Sequence, residues 1–214
     1  IWEQLKGKCK VDLKTPDVIF VLFFSKNDFL FGKEIYARSR GFFSNRRADI
    51  RPFFNPGTLD PPFARLMVNL AQASPQELLL DPFCGPGGIL IEGALMGCKV
   101  IGSDISTRMV KGAKRNLEHY APGADYNFLL ADAKEMPFNT TITSIATDPP
   151  YGRSSSTYGK EIELLLASFL EEVKQVLVSG GVIAIGMFAE VPLETIVADA
   201  GLELLSLEGL YIHK

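Results

Sequence analysis

Hydrophobic positions change their spacing three times along the chain. Near the start, Val18–Phe24 and Phe29–Ile35 are short runs rich in aromatic and β-branched residues, separated by the turn-prone Ser25-Lys26-Asn27-Asp28. They predict a β-hairpin with one solvated side. From Arg38 to Pro56 the periodicity disappears, which predicts a linker over 44–58. Leu59–Ala73 then carries Phe63, Leu66, Met67 and Leu70 at three- and four-residue spacing behind Asp60-Pro61-Pro62, so the spacing predicts an amphipathic helix with a proline first turn.

Beyond that helix, strand-like and helix-like segments alternate. Strands are predicted at Glu77–Leu80, Lys99–Gly102, Tyr126–Leu130, Ile142–Thr147 and Val182–Phe188, with a final one near Leu202–Leu207 running on toward Ile212. Helices are predicted at Gly88–Met96, Thr107–His119, Ile162–Val178 and Pro192–Ala200. Strands alternating with helices of this length imply βαβ units, hence a mainly parallel sheet covered by helices on both faces.

Composition narrows the class. The 214 residues are 47% hydrophobic and 22% charged, enough for one full domain and part of another. A net charge of −3 argues against indiscriminate coating of nucleic acid, so any such contact must come from a local patch. Arg38, Arg40, Arg46, Arg47 and Arg51, interleaved with Phe42, Phe43, Phe53 and Phe54, supply one and are the expected RNA contacts. Cys9, Cys84 and Cys98 have no C-x-x-C spacing and lie far from His119 and His213, so neither a disulfide framework nor a metal site is expected. The longest apolar stretch, Val18–Phe24, is far too short to span a membrane and no signal-peptide pattern opens the chain, which places the protein in the cytoplasm. The first residue is Ile1, so a longer natural protein is expected.

Two strand-end loops carry the candidate chemistry. Asp81-Pro82-Phe83-Cys84-Gly85-Pro86-Gly87-Gly88 follows a predicted strand and opens a predicted helix, as a turn does that lets a ligand approach the main chain. Asp104, Asp132 and Asp148 end three further strands. Four acidic strand ends suit S-adenosylmethionine, whose amine, ribose and adenine all donate hydrogen bonds and which has no phosphate to neutralise. Asp148-Pro149-Pro150-Tyr151 suits methyl transfer to an amine. The lone pair of a nucleobase amine is delocalised into the ring, and a carboxylate plus a backbone carbonyl that accept both N–H protons localise it and stabilise the developing positive charge. The prolines remove two competing donors, and Tyr151 offers a stacking face.

Arg51-Pro52-Phe53-Phe54-Asn55-Pro56-Gly57-Thr58-Leu59, Ala64-Arg65, Val68-Asn69-Leu70-Ala71, the Asp81–Gly85 turn and Asp148–Ser154 together resemble the tRNA guanine-10 N2-methyltransferases, especially the archaeal members. The chain departs from the family pattern at Asn55, where histidine is expected, and at Pro86, where threonine or serine is expected. The resemblance implies a Rossmann-like class I S-adenosylmethionine-dependent methyltransferase domain over 59–214, preceded at 1–43 by the C-terminal part of a tRNA-binding THUMP module. It implies that Asp148, Pro149, Pro150 and Tyr151 act in catalysis, and that Asp81, Phe83, Gly85, Gly87, Asp104, Ile105, Asp132, Ala133 and Asp148 hold the cofactor. Its partner would be tRNA, in some members together with a small zinc-binding activator subunit. Sheets of this type close with an antiparallel hairpin, so the natural protein is expected to continue past Lys214 by at least one strand. Adenine N6 methylation, guanine N2 methylation of rRNA, glutamine methylation of a protein and RNA binding by a degenerate methyltransferase fold are the alternatives.

Overall fold

The computed structural model describes residues 7, 8, 10–137, 141–150 and 158–209, with side chains from residue 161 onward in the last span. The chain divides into two compact units, Ile1–Phe42 and Phe43–Lys214.

In the first unit, β1 (Phe20–Phe24) pairs antiparallel with β2 (Phe29–Lys33), Phe24 opposite Phe29. The four-residue turn is closed by Ser25 N–H donating to the Asp28 carbonyl at 2.8 Å. Phe20 and Phe31 stack at 5.5 Å. In place of the single solvated side expected, side chains on both faces are largely exposed: Phe20 by 55%, Phe23 by 65%.

In the second unit, residues 44–58 are not a free linker. Two short 3-10 turns, Ser44–Arg46 and Ala48–Ile50, bury Arg46, Ala48 and Arg51. Helix α1 (Pro61–Leu70) follows, with the Asp60 carbonyl accepting from the N–H groups of Phe63 and Ala64 at 3.0 Å. The remaining elements alternate as β3 (Leu78–Asp81), α2 (Gly88–Leu95), β4 (Lys99–Asp104), α3 (Thr107–Tyr120), β5 (Tyr126–Leu130), β6 (Ile142–Thr147), α4 (Tyr158–Val176), β7 (Leu177–Ile185) and α5 (Leu193–Asp199). The strands form one parallel sheet in the order β5-β4-β3-β6-β7. The chain winds outward from β3 through β4 to β5, then crosses back to place β6 on the other side of β3. Strand order therefore reverses between β3 and β6, where ligands bind in folds of this kind.

Each strand separates two cores. Side chains alternate across a strand, so Leu79, Val100 and Ala146 pack with Val68 of α1, Leu90 of α2 and Leu117 of α3. Their sequence neighbours Leu80, Ile101 and Ile145 pack on the opposite face with Leu166, Phe169 and Leu170 of α4 and Ile196 of α5. Burial on both faces explains why consecutive residues such as Leu79–Leu80 and Val100–Ile101 are apolar.

Two expectations are corrected. β7 begins at Leu177, ahead of Val182, and its pairing with β6 shifts register between Ile142↔Leu177 and Ser144↔Val182. Residues 202–209 form no strand, and Leu204, Leu205 and Leu207 are exposed. β-propensity alone makes no strand without a ladder partner on a packed face. The continuation toward Ile212 lies outside the described residues.

Candidate functional site

The reversal of strand order sets the ends of β3 and β6 side by side. Asp81 closes β3 and is buried, and Thr147, the last residue of β6, donates its hydroxyl to Asp81 Oδ1 at 2.8 Å. Phe83 N–H donates to the same oxygen at 3.2 Å, while the Phe83 ring turns into the core edge-on to Phe169, 5.4 Å away. The glycine turn follows. Cys84 N–H is held by the Ser103 carbonyl at 2.9 Å, and Gly87 N–H by the Cys84 carbonyl at 2.7 Å. Gly87 has φ +82°, a conformation that favours glycine, and a Cβ there would lie a tight 3.1 Å from the Ala113 methyl of α3.

Asp104 fastens this turn from the end of β4. Its Oδ2 accepts from Gly85 N–H at 3.1 Å and its Oδ1 from Ser106 N–H at 2.8 Å. An ionised carboxylate offers about four acceptor sites, so two remain for donors such as ribose hydroxyls. Ile105 beside it is an apolar side chain 74% exposed. Beyond β5, Asp132 is half-exposed, with Oδ1 accepting from Lys134 N–H at 2.9 Å and Oδ2 3.5 Å from Lys134 Nζ. Ala133 is buried in the core, so only its backbone can face a ligand.

Asp148 follows β6 directly. Its Oδ1 is buried with no hydrogen-bond partner among the described residues, Pro149 behind it is buried, and Pro150 is exposed. Tyr151 lies outside the described residues. The topology thus brings Asp81, Asp104, Asp132 and Asp148 to one edge of the sheet.

Burial pushes the Asp148 carboxyl up to about 7. Burial raises Asp81 to about 7 as well, the Thr147 and Phe83 hydrogen bonds opposing it and the Asp148 and Asp104 charges adding to it. A cationic ligand would relieve this crowding by favouring the ionised forms. Without one, the folded state binds more protons than the unfolded chain between about pH 4 and 7, so these carboxyls withdraw stability as pH rises through that window. Asp81→Asn keeps an acceptor for Thr147 and Phe83 but no charge. The variant is expected to exceed wild type at pH 8 by on the order of a few kcal/mol and to match it near pH 4, as read from urea unfolding. An equal difference at both pH values would rule out this titration as the cause.

The arginines separate into two groups. Arg38 and Arg40 are exposed, Arg38 lying 5.7 Å from the Phe42 ring centre. Arg47 is exposed and paired with Asp49 at 2.7 Å. Arg46 and Arg51, expected to contact RNA, are buried instead. Arg46 forms a two-pronged pair with Glu92, which is fully buried in α2 and also takes Arg65 at 2.9 Å. Arg51 Nε donates to the Arg46 carbonyl at 3.1 Å, and its two terminal nitrogens are buried without partners among the described residues.

Three contributors went unread in the sequence. Glu92 is the only charge in Gly88–Leu95, an otherwise apolar helix, and such a residue requires a buried cation. Asn116 occupies a core position of amphipathic α3. Its amide exchanges hydrogen bonds with both the N–H and the carbonyl of Phe53 at 2.8 Å and donates to the Pro86 carbonyl at 3.0 Å, tying segment 51–53 to the glycine turn. Thr147 carried no signal, because its role depends on the strand order.

A five-stranded parallel sheet that reverses beside a glycine turn, with acidic residues at four strand ends, defines a Rossmann-like methyltransferase domain. The chain belongs to the family described as RMKL-like, methyltransferase domain, which it matches over residues 48–209. It is 39% identical over 190 residues to the tRNA (guanine(10)-N2)-dimethyltransferase of Methanothermobacter thermautotrophicus, covering 89% of this chain and 56% of that protein. It is 35% identical to the protein of the same name from Methanocaldococcus jannaschii, covering 99% and 59%. The chain therefore spans little more than half the length of these relatives. Among solved structures, TrmN from Thermus thermophilus superposes with a TM-score of 0.56 at 26% identity, covering 86% of this chain and 53% of that one.

Proposed function

We propose that the protein methylates the exocyclic N2 amine of a guanine in tRNA, at position 10, using S-adenosylmethionine. The observation that carries this reading is the buried Oδ1 of Asp148, without a partner among the described residues, at the point where strand order reverses. A carboxylate held there suits guanine, which presents N2–H and N1–H donors side by side. The names of the archaeal relatives support the substrate and favour two successive transfers.

The residues present fit the cofactor. Asp104 would hold its ribose, Asp132 its adenine amine, Ile105 the adenine face, and the Asp81–Gly87 turn its methionine end. Bound there, S-adenosylmethionine supplies an electrophilic methyl group on a sulfonium. Asp148 and the carbonyl of Pro149 accept the two N–H protons of the guanine amine, drawing its lone pair out of the ring and stabilising the charge that forms on nitrogen. Ionised Asp148 then takes up the proton released once the nitrogen has been alkylated. Residues 1–43 act as the end of a THUMP module, with Arg38, Arg40 and Arg47 on tRNA phosphates.

The test is mass spectrometry of nucleosides from unmodified tRNA incubated with the protein and S-adenosylmethionine, with and without a candidate zinc-binding activator. N2-methylated guanosine mapping to position 10 is expected. Methyl groups found only on adenine N6 would reassign the substrate, and no transfer in either arm would reject the enzyme reading.

A further inference from the structure

The charge of α3 is unbalanced. Thr107–Tyr120 carries Arg108, Lys111, Lys114 and Arg115 against Glu118 as its one acidic residue, in a protein whose net charge is −3. Lys114 lies 3.9 Å from Glu118, whereas Lys111 and Arg115 have no ion-pair partner among the described residues. At 100° per residue, positions 108, 111 and 115 fall on one stripe that faces away from the buried residues Ala113, Asn116 and Leu117. This stripe runs roughly 10 Å along the helix.

The stripe forms one wall of a shallow, open groove. The groove is lined by Phe53, Thr107, Arg108, Lys111, Gly112 and Arg115. Its floor is the Phe53 ring, which lies so close on Gly112 that any Cβ there would overlap it. Asn116 clamps the Phe53 backbone from both sides, and the Arg108 guanidinium sits 5.3 Å from the centre of the Phe53 ring. One end of the groove opens at Thr107, three residues beyond Asp104 at the cofactor edge of the sheet. Cations with no counterion among the described residues, backed by an aromatic floor and ending at the cofactor edge of the sheet, match the backbone of a polynucleotide.

We propose that the groove between α3 and Phe53 is a docking track for the tRNA phosphodiester backbone, with Lys111 and Arg115 as its principal phosphate contacts. The proposal rests on the tRNA-methylating function above and adds a second tract of contacts on the catalytic unit itself, distinct from the arginines ahead of it. It also gives the exposed end of α3 a task that no cofactor contact requires.

The test compares wild type with the Lys111→Gln/Arg115→Gln double variant and with a Lys99→Gln/Lys174→Gln control, which removes the same charge elsewhere. Binding to unmodified tRNA is measured by fluorescence anisotropy over a salt series, and S-adenosylmethionine binding by calorimetry. The double variant is expected to bind tRNA about tenfold more weakly or worse at 0.1 M salt, with the log K against log [salt] slope reduced by about one to two units. Its circular dichroism and cofactor affinity should match wild type, as should tRNA binding by the control. Equal tRNA affinity and salt slope for wild type and double variant would overturn the docking track, as would an equal loss in the control. The methylation assay decides the catalytic reading separately, since a protein that methylates tRNA yet binds it unchanged in the double variant retains the function and loses only the track.

Discussion

Replacing Asp148 is expected to remove catalysis while sparing the fold. Asp148→Asn retains shape and one acceptor but no charge, and should lower the rate of tRNA methylation a hundredfold or more, the scale of losing one strong electrostatic stabiliser of a transition state. Asp148→Ala should abolish measurable turnover. Cofactor affinity should fall far less than the rate in both, because the lost interaction belongs chiefly to the transition state. The raised carboxyl adds a pH signature. Only ionised Asp148 stabilises the positive charge that develops on the amine, so the wild-type rate should climb with pH, pass a midpoint no higher than about 7 once the cationic cofactor is bound, and level off above it. Single-turnover rates from pH 5.5 to 8.5 check this, and activity within a few-fold of wild type in Asp148→Asn would take the residue out of the mechanism.

The second large effect is structural and arises at Glu92. This carboxylate is fully buried and holds Arg46 and Arg65, while Arg51 packs against Arg46. Glu92→Ala would leave buried guanidinium groups facing one another without an anion, and removing one partner of such a set costs about 3–5 kcal/mol. At a typical urea dependence this moves the unfolding midpoint by ~2 M. Arg46→Met in the Glu92→Met background should recover part of the loss, because the uncompensated charge leaves with its partner. An unfolding midpoint unchanged in Glu92→Ala would mean that water reaches the cluster and screens it.

The alternation of strands and helices was legible because its cause is local. A strand buried on both faces tends to be apolar throughout, as Leu78–Leu80 is, and a helix with one buried stripe must repeat at three and four residues, as α3 does. The acidic strand ends were legible for a related reason, since the topology rule places any residue after a parallel strand at the ligand edge. Pairing over long separation was not legible. Arg46 and Arg51 read as a basic surface because the carboxylate that draws Arg46 inward lies 46 residues away, on another element. The early start of β7 was hidden by Ser179-Gly180-Gly181, which reads as a turn and in the structure is the irregular stretch where register shifts. Leu202–Leu207 is a leucine-rich stretch without a ladder among the described residues, and composition cannot supply a partner.

The sheet also governs how substitutions combine. Leu79 and Leu80 are joined by a peptide bond, yet one packs with Leu90 and Leu117 and the other with Leu166 and Phe169. Truncating both should cost close to the sum of the separate losses, whereas Leu79 and Leu90, eleven positions apart, share one cavity and should depart from additivity by 0.5 kcal/mol or more. The helices carrying the glycine turn and those carrying the opposite face can therefore drift in sequence almost independently. A lineage could remodel the α4–α5 side for a new partner while the layer that positions Gly87 and Asp104 keeps its packing.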